Sequence, residues 1–208
     1  MATEGIVQFH CTLAAGPAPG TDGTALRELA GWRRILHRLH LLGQTPTAYD
    51  GLAFGNVSLR LGDGFLVTAS QTSGIECLTA DDWVFVHDVD IASFATRATG
   101  TQPPSSEAMT HAVIYATNPQ IRYVLHVHSP SIWQQATALG LPATSPRAAN
   151  GTPGLMQETS ELVARAPRLP LVFVSPGHED GVFACGDQLD TTGGALLATL
   201  ASALAVAP

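Results

Sequence analysis

The segment YVLHVHSPS, residues 123–131, places two histidines one residue apart inside an apolar run, and it constrains this chain more than any other feature. A short apolar run of this kind predicts a β-strand. Residues two apart in a strand point to the same face, so His126 and His128 project together while Val127 faces the other way. Two neutral imidazoles on one face can bind a single metal ion. The alternative is a pair of core histidines with local hydrogen bonds, and the metal is the favoured interpretation.

The sequence contains no lysine, and its ten Lys/Arg positions are all arginine. A Schiff base with a carbonyl substrate or with pyridoxal phosphate requires a lysine amine, as does a Walker-type phosphate loop. These chemistries are therefore excluded. If the protein activates a carbonyl group, it needs another electrophile, and a metal ion can take that part.

Composition predicts one domain over residues 24–208, after a flexible lead-in at residues 1–23. Charged side chains make up only 13% of the chain, which suggests that other copies of it cover much of the surface. A net charge of −7 argues against a nucleic-acid partner. No apolar run approaches the length of a membrane span, and the N-terminus lacks a basic secretory region. Three widely separated cysteines favour the cytoplasm.

Hydrophobic periodicity and turn residues predict helices alternating with short strands. The GDG turn between the first two strands indicates a β-hairpin, and the second helix is bounded by prolines with a serine available as N-cap. Together these elements predict a mixed, largely antiparallel sheet with helices packed on it. Helices are expected at 21–43, 103–119, 131–139, 154–166 and 190–206, and strands at 56–61, 65–70, 82–90, 122–128, 169–177 and 181–186.

The start of the helix before the histidine strand combines a carboxylate with features that favour an anion. Glu107 is expected in the first turn, near the positive end of the helix dipole. Ser105 and Ser106 add hydroxyls beside the free backbone N–H groups. Ordinary helix capping is the alternative. His111 lies one turn after Glu107, where packing is the favoured interpretation over a part in orienting the carboxylate.

Two further polar segments have the composition of binding turns. Asn56 in FGNVS and the turn of Thr72, Ser73 and Gly74 can bind phosphate through amides and hydroxyls, although such residues are common in turns. The turn SPGHEDG contains His178, Glu179 and Asp180 between two apolar strands, where a third metal ligand would be well placed.

In order, the segments GNVSLR, FLVTASQTSGIECLT, PSSEAMTHAVIYATNPQIRYVLHVHSP and GHEDGVFACG resemble successive motifs of the class II aldolase/adducin family. The resemblance runs from about residue 25 to residue 200. It implies a three-layer α/β/α sandwich around a mostly antiparallel sheet. It also implies a cytoplasmic homotetramer with active sites at subunit interfaces, and a divalent metal, commonly Zn²⁺, held by three histidines.

By position, the resemblance assigns His126 and His128 to the metal and Glu107 to general acid/base catalysis. The third histidine of the family falls at Asp180, with His178 two residues earlier. His178 is the preferred ligand, because a spacing of two keeps both residues on one face of an extended segment. Asp180 would instead complete a two-His, one-carboxylate site that favours Mn²⁺ or Fe²⁺. The implied substrate-phosphate cradle consists of Asn56, Ser73, Gly74, Ser105 and Ser106.

The activity that the resemblance implies is Lewis-acid chemistry on a small, phosphorylated sugar or hydroxy-carbonyl compound through a metal-stabilised enediolate. An aldolase-like lyase is the leading hypothesis. Residues 144–154 and the C-terminal tail lack the tyrosines that aldolases of the family use, which weakens aldol cleavage specifically. A sugar-phosphate epimerase, a dehydratase, a non-catalytic adducin-like assembly module and a small-ligand binding protein are the alternatives.

Overall fold

The protein is built around an eight-stranded sheet in the computed structural model, which describes residue 7 and residues 9–206. Each strand pairs antiparallel to its neighbours except the first, which is parallel to the seventh. The strands are β1 His10–Ala15, β2 Gly43–Gln44, β3 Ala53–Phe54, β4 Asn56–Leu61, β5 Gly64–Thr68, β6 Trp83–Asp90, β7 Ala95–Gly100, β8 Tyr123–His128, β9 Leu171–Val174 and β10 Gly181–Gly186. The large sheet has the order β1-β7-β6-β5-β4-β8-β10-β9, and β2 and β3 form a separate pair.

Five helices cover the two faces of this sheet, as the predicted sandwich requires. The hydrophobic core on one face contains residues of α2 and α4, and the core on the other contains residues of α1, α3 and α5. The predicted three-layer architecture with a mixed, mostly antiparallel sheet is therefore confirmed. The helices are α1 Thr24–Arg38, α2 Ala108–Thr117, α3 Pro130–Gln135, α4 Pro153–Ala164 and α5 Leu189–Val206.

Two neighbouring strands at one end of the sheet depart from the sequence-based expectation. Residues 10–15, predicted as part of a flexible lead-in, form β1 and pair along their whole length with β7, which the sequence pattern did not predict either. Burial alternates along much of both strands in the fold, but the alternating residues are mostly small or polar, so the sequence carries little of the hydrophobic contrast that predicts a strand. Their pairing supplies the backbone hydrogen bonds that neither segment satisfies alone.

The predicted serine cap of the second helix is also wrong. Helix α2 begins at Ala108 with Glu107 as its N-cap residue, and no side chain accepts a capping hydrogen bond. Ser105 is instead held outside the helix, because its amide donates to the carbonyl of Thr68 at the end of β5, and Ser106 and Glu107 form a turn that leads into α2. The carboxylate of Glu107 is thus left available for contacts across the sheet.

Helix α5 corrects the statement that no apolar run approaches the length of a membrane span. By length and composition alone, its 18 residues are apolar enough to cross a bilayer. In the fold it packs on the sheet beside α1 and α3, with Leu196 and Ala203 fully buried. One face of α5 therefore belongs to the core, while only 28% of the helix is buried and Leu204 and Val206 are exposed.

Two adjacent glycines of α5 provide a test of this packing. A side-chain carbon at Gly193 would overlap the ring of Trp32 on α1, whereas Gly194 faces open space. We expect Gly193→Ala to lower the free energy of unfolding by about 1–3 kcal/mol, because α5 must move away from α1. Gly194→Ala should instead raise it by up to about 1 kcal/mol through helix propensity. Chemical denaturation measures both, and equal effects of the two changes would contradict this packing.

Candidate functional site

Strand β8 presents its two histidines on the face that is covered by α2. Leu125 and Val127 belong to the core under α1, α3 and α5, while Val124 belongs to the opposite core. His126 and His128 share the side of Val124 and are 0% and 2% exposed. The predicted shared face is therefore confirmed, and the rings lie 5.1 Å apart between centroids.

The third histidine of the cluster is His178, in the turn between β9 and β10. Its ring centroid lies 5.0 Å from that of His126 and 4.8 Å from that of His128. One ligand atom from each of the three buried rings lies within 4.8 Å of the other two, an arrangement that can hold a metal ion. Backbone hydrogen bonds from His178 to Ser175 and from Gly181 to His178 hold the turn.

Asp180, the alternative third ligand, is not in this cluster. Its backbone is left-handed, with φ of 60°, and its carboxylate accepts a hydrogen bond of 2.7 Å from the hydroxyl of Tyr49. The backbone carbonyl of Asp180 accepts from the amide of Ser129 at 2.9 Å. The turn therefore directs His178 toward the other two histidines and Asp180 toward the loop of Tyr49.

Glu107 meets the histidines from the start of α2 and is 1% exposed. Its Oε2 lies 2.8 Å from His126 Nε2, and its Oε1 lies 3.2 Å from His178 Nδ1. The amide of Asn56 donates a 2.7 Å hydrogen bond to Oε2. One carboxylate, one amide and the histidine rings thus converge in a buried space.

Burial alone would raise the pKa of Glu107, but its electrostatic and short-range polar interactions with His126 and His178 outweigh burial and hold this pKa well below its ordinary value. The carboxyl group is therefore ionised. Although His126 Nε2 is close to the carboxylate, it does not have hydrogen-bond geometry toward it. A buried ring nitrogen without a hydrogen-bond partner is available as a metal ligand.

The orientation of His126 is determined by its second ring nitrogen. Nδ1 lies 3.1 Å from the carbonyl oxygen of Val182, which can only accept, so Nδ1 carries the proton and Nε2 keeps its lone pair. Phe183 stacks on the ring at 4.2 Å. A backbone carbonyl that fixes the tautomer is a common support of metal-binding histidines.

Asn150 supports His178 and was not predicted from the sequence. Its side-chain amide lies 3.4 Å from His178 Nε2, and its Oδ1 is buried without a hydrogen-bond partner. If the amide is rotated, Oδ1 accepts from Nε2–H, and Nδ1 of His178 keeps its lone pair. A lone asparagine in the loop TSPRAANGTPG carries no spacing signal, so only the folded chain brings it to the site.

Four of the five residues predicted for a phosphate cradle line one small polar cavity, and the fifth, Gly74, lines the cavities next to it. Asn56 is shared with Glu107, whereas the hydroxyl of Ser73 donates to the carbonyl of Gly55. Ser70 and Gln71 also line the cavity and were not predicted. The four predicted residues are Asn56, Ser73, Ser105 and Ser106.

A larger cavity of about 520 Å³ lies beside His128. Tyr49 and Phe54 line it, and the edge of the Tyr49 ring lies against His128 with centroids 4.5 Å apart. This space is large enough for a small sugar-sized compound next to the histidine cluster. Tyr49 was missed because it lies in an irregular loop, with no neighbour in sequence that indicates a site.

Comparison with known proteins decides the family. The model of the class II aldolase and adducin N-terminal domain matches residues 44–198. The chain belongs to this family. The histidine cluster described above thus lies within a class II aldolase/adducin domain.

Individual relatives agree with this assignment. Methylthioribulose-1-phosphate dehydratase of Enterobacter sp. (strain 638) is 39% identical over 75 residues, which are 36% of this chain and about a third, 34%, of that protein. Two solved structures share the class II aldolase fold at TM-scores of 0.63 and 0.58. They are YgbL from Klebsiella pneumoniae, described as a putative aldolase/epimerase/decarboxylase (18% identity, 86% of both chains), and L-fuculose-1-phosphate aldolase from Thermus thermophilus (19% identity, 85% of this chain and 90% of that one).

His111 lies in the core of the family domain, one turn beyond Glu107, as the packing interpretation predicted. Its Nδ1 is 2.6 Å from the hydroxyl of Ser58, which is 2.7 Å from the hydroxyl of Tyr115. Burial lowers the pKa of His111 to about 3. This ring is therefore neutral, and its hydrogen bonds are with Ser58 rather than with Glu107.

The lowered pKa of His111 predicts a pH dependence of stability. His111 takes up a proton near pH 6.5 in the unfolded chain but only near pH 3 in the folded chain. The free energy of unfolding therefore has its full value above pH 6.5, and it decreases as the pH falls from 6.5 toward 3 because protonation favours the unfolded chain. We expect His111→Gln to reduce the slope of unfolding free energy against pH by about 1.4 kcal/mol per pH unit within this window. Denaturant titrations from pH 6.5 to 4 measure it. His87→Gln, at an exposed position, should keep the wild-type slope, and equal slopes in all three proteins would contradict the prediction.

Proposed function

We propose that the chain is a metal-dependent lyase that acts on a small phosphorylated hydroxy-carbonyl compound, with dehydration favoured over aldol cleavage. The observation that carries this proposal is the convergence of three buried histidines and the carboxylate of Glu107 in one space. A structural core does not require such a set, because buried ionisable groups are costly unless they are paired or bind a ligand.

The donor set fits a divalent ion. Three imidazoles suit Zn²⁺, and three protein ligands leave coordination positions open for a substrate, as in catalytic zinc sites. His126, His128 and His178 would hold the ion, which supplies Lewis-acid polarisation of a substrate carbonyl when bound. We propose Zn²⁺ as the ion. The alternative of Mn²⁺ or Fe²⁺ depended on Asp180 as a ligand, and Asp180 is hydrogen-bonded to Tyr49 instead.

Glu107 is the proposed acid/base group. Its carboxylate is ionised, buried and oriented by Asn56, so it can remove a proton from the carbon next to the substrate carbonyl. In a dehydration, the hydroxyl group on the following carbon then leaves as water after it gains a proton. The atoms balance without any oxidant or reductant. The phosphate would bind at the mouth of the cavity lined by Asn56, Ser73, Ser105 and Ser106, because its volume of about 10 Å³ is enough for only about one water molecule.

Two observations favour dehydration over aldol cleavage. The curated relative with 39% identity over 75 residues is a dehydratase of methylthioribulose 1-phosphate. Residues 144–154 and the C-terminal tail also lack the tyrosines that the aldolases of this family use. We propose that the protein acts in the cytoplasm as a homotetramer, which agrees with its low charge content and its three free cysteines.

The ligand assignment predicts the metal content of three variants. The wild-type protein should bind about one Zn²⁺ per subunit, and His126→Ala and His178→Ala should bind less than about a tenth of that, since two nitrogen ligands hold zinc poorly. Asp180→Asn should keep the wild-type content. Elemental analysis after equilibration with Zn²⁺ measures it. A protein without zinc in every form would instead favour the adducin-like assembly module.

The role of Glu107 predicts a loss of turnover without a loss of metal. Glu107→Gln should reduce turnover of methylthioribulose 1-phosphate by about 10²–10⁴-fold, because the amide cannot accept the proton. Its zinc content should remain that of the wild type. Glu158→Gln, which changes a carboxylate bound by Ser145 outside the histidine cluster, is the matched control. Product analysis separates the reactions, since dehydration leaves one carbon skeleton and aldol cleavage gives two shorter carbonyl compounds.

A further inference from the structure

A buried arginine on α1 holds the turn that begins with Thr72, Ser73 and Gly74. Arg33 is 1% exposed, and its guanidinium donates to the carbonyl oxygens of Thr72 at 3.0 Å, Ser73 at 3.2 Å and Glu76 at 3.0 Å. A fork of donors suits such a cluster of carbonyls, which a lysine could not bind in the same way. The sequence pattern had indicated only that this segment of α1 is helical.

The charge of Arg33 is not neutralised by a direct ion pair with any residue in the described part of the chain. Asp82 is the acid that acts on it most strongly, but its carboxylate is hydrogen-bonded to the amide and hydroxyl of Thr79. The carboxylate of Glu76 is bound by Arg34 and Arg38. Burial lowers the pKa of Arg33 to about 10, so the guanidinium is still protonated at neutral pH. A buried charge of this kind requires compensation.

The carbonyls that compensate Arg33 also determine where the neighbouring amides point. In a trans peptide unit the N–H is directed opposite to the C=O. Because the carbonyls of Thr72 and Ser73 face Arg33, the amides of Ser73 and Gly74 face away from it. Among residues 9–206, neither amide has a hydrogen-bond acceptor in the protein. Two successive amides directed outward are a typical binding site for an anion.

The polar cavity beside this turn contains no charged side chain in its lining. The residues that line it offer hydroxyls, amides and backbone, so the positive potential that a phosphate dianion requires must come from behind the lining. The guanidinium of Arg33 lies one peptide unit away, on the far side of the Thr72 and Ser73 carbonyls.

We propose that Arg33 is a positioning residue for the anionic group of the substrate: it orients the amides of Ser73 and Gly74 outward and provides the charge behind them. The inference rests on the proposed function only in taking that anion to be the substrate's phosphate. Arg33 touches no substrate. The turn itself contains no positively charged side chain, and Arg33 supplies the positive charge that an anion site requires.

Binding of inorganic phosphate tests this role, with zinc binding as a separate measure of site integrity. We expect Arg33→Met to raise the dissociation constant for phosphate at least tenfold while about one Zn²⁺ per subunit is still bound. Arg34→Met is the matched control, since it removes the same charge from the next residue, whose side chain is 49% exposed and pairs with Glu76. Its dissociation constant should stay within twofold of the wild-type value. Equal constants for the two variants would overturn the proposal.

A conservative variant separates charge from a merely structural role. Arg33→Lys retains the charge with fewer donors, so its phosphate affinity should lie between those of the wild type and Arg33→Met. If Arg33→Lys is as stable as the wild type but binds phosphate as weakly as Arg33→Met, the retained charge does not support binding, and the part of the proposal that assigns this role to the charge fails.

A measurement on the wild-type protein decides the matter if Arg33→Met does not fold. Titration with phosphate should shift the amide resonances of Ser73 and Gly74 in ¹⁵N spectra, with the same dissociation constant as the binding isotherm. Unchanged resonances at saturating phosphate would overturn the anion site and leave the metal-dependent function intact. If the wild-type protein binds phosphate but takes up no zinc, the anion site is supported and the proposal of a metal-dependent lyase fails.

Discussion

The register of β8 between β4 and β10 is the constraint on which the site depends. It pairs His126 with Asn56 on one side and with Phe183 on the other. These neighbours orient the site, because Asn56 holds the carboxylate of Glu107 and Phe183 stacks on the His126 ring. A slip of one residue would turn both histidines of the strand into the opposite core. The apolar residues that alternate with them make such a slip costly.

The chain has no lysine, and two of its buried charged groups, Glu107 and Arg33, are balanced by groups other than an oppositely charged carboxylate or guanidinium. The buried acid at the histidine cluster is balanced by imidazoles and an amide, and the buried base on α1 is balanced by backbone carbonyls. Neither Glu107 nor Arg33 forms a buried carboxylate–guanidinium pair within the described residues. Each charge is therefore left able to act on a ligand: Glu107 on a proton of the substrate, and Arg33 on its anionic group.

Much of the fold and of the candidate site could be predicted from the sequence. The interior strands are short apolar runs and α1 has a clear hydrophobic period, and the shared face of His126 and His128 follows from strand geometry. The edge strand β1 and its neighbour β7 could not be predicted, because their mostly small or polar residues give little hydrophobic contrast and their place in the sheet depends on pairing with each other and, for β7, with β6. The start of α2 also escaped prediction, since a hydrogen bond from the amide of Ser105 to β5 holds that residue outside the helix.

The sequence by itself determined which chemistry the chain can carry: paired imidazoles on one strand, a carboxylate at the start of the preceding helix and no lysine amine. Only the tertiary structure decided between His178 and Asp180, which lie two residues apart in one turn. The reason is that side-chain directions in a turn depend on contacts from distant parts of the chain, here the Tyr49 hydroxyl on Asp180 and Asn150 beside His178. The same holds for Arg33, whose partners lie some forty residues further along the chain and meet it only when α1 packs on the sheet.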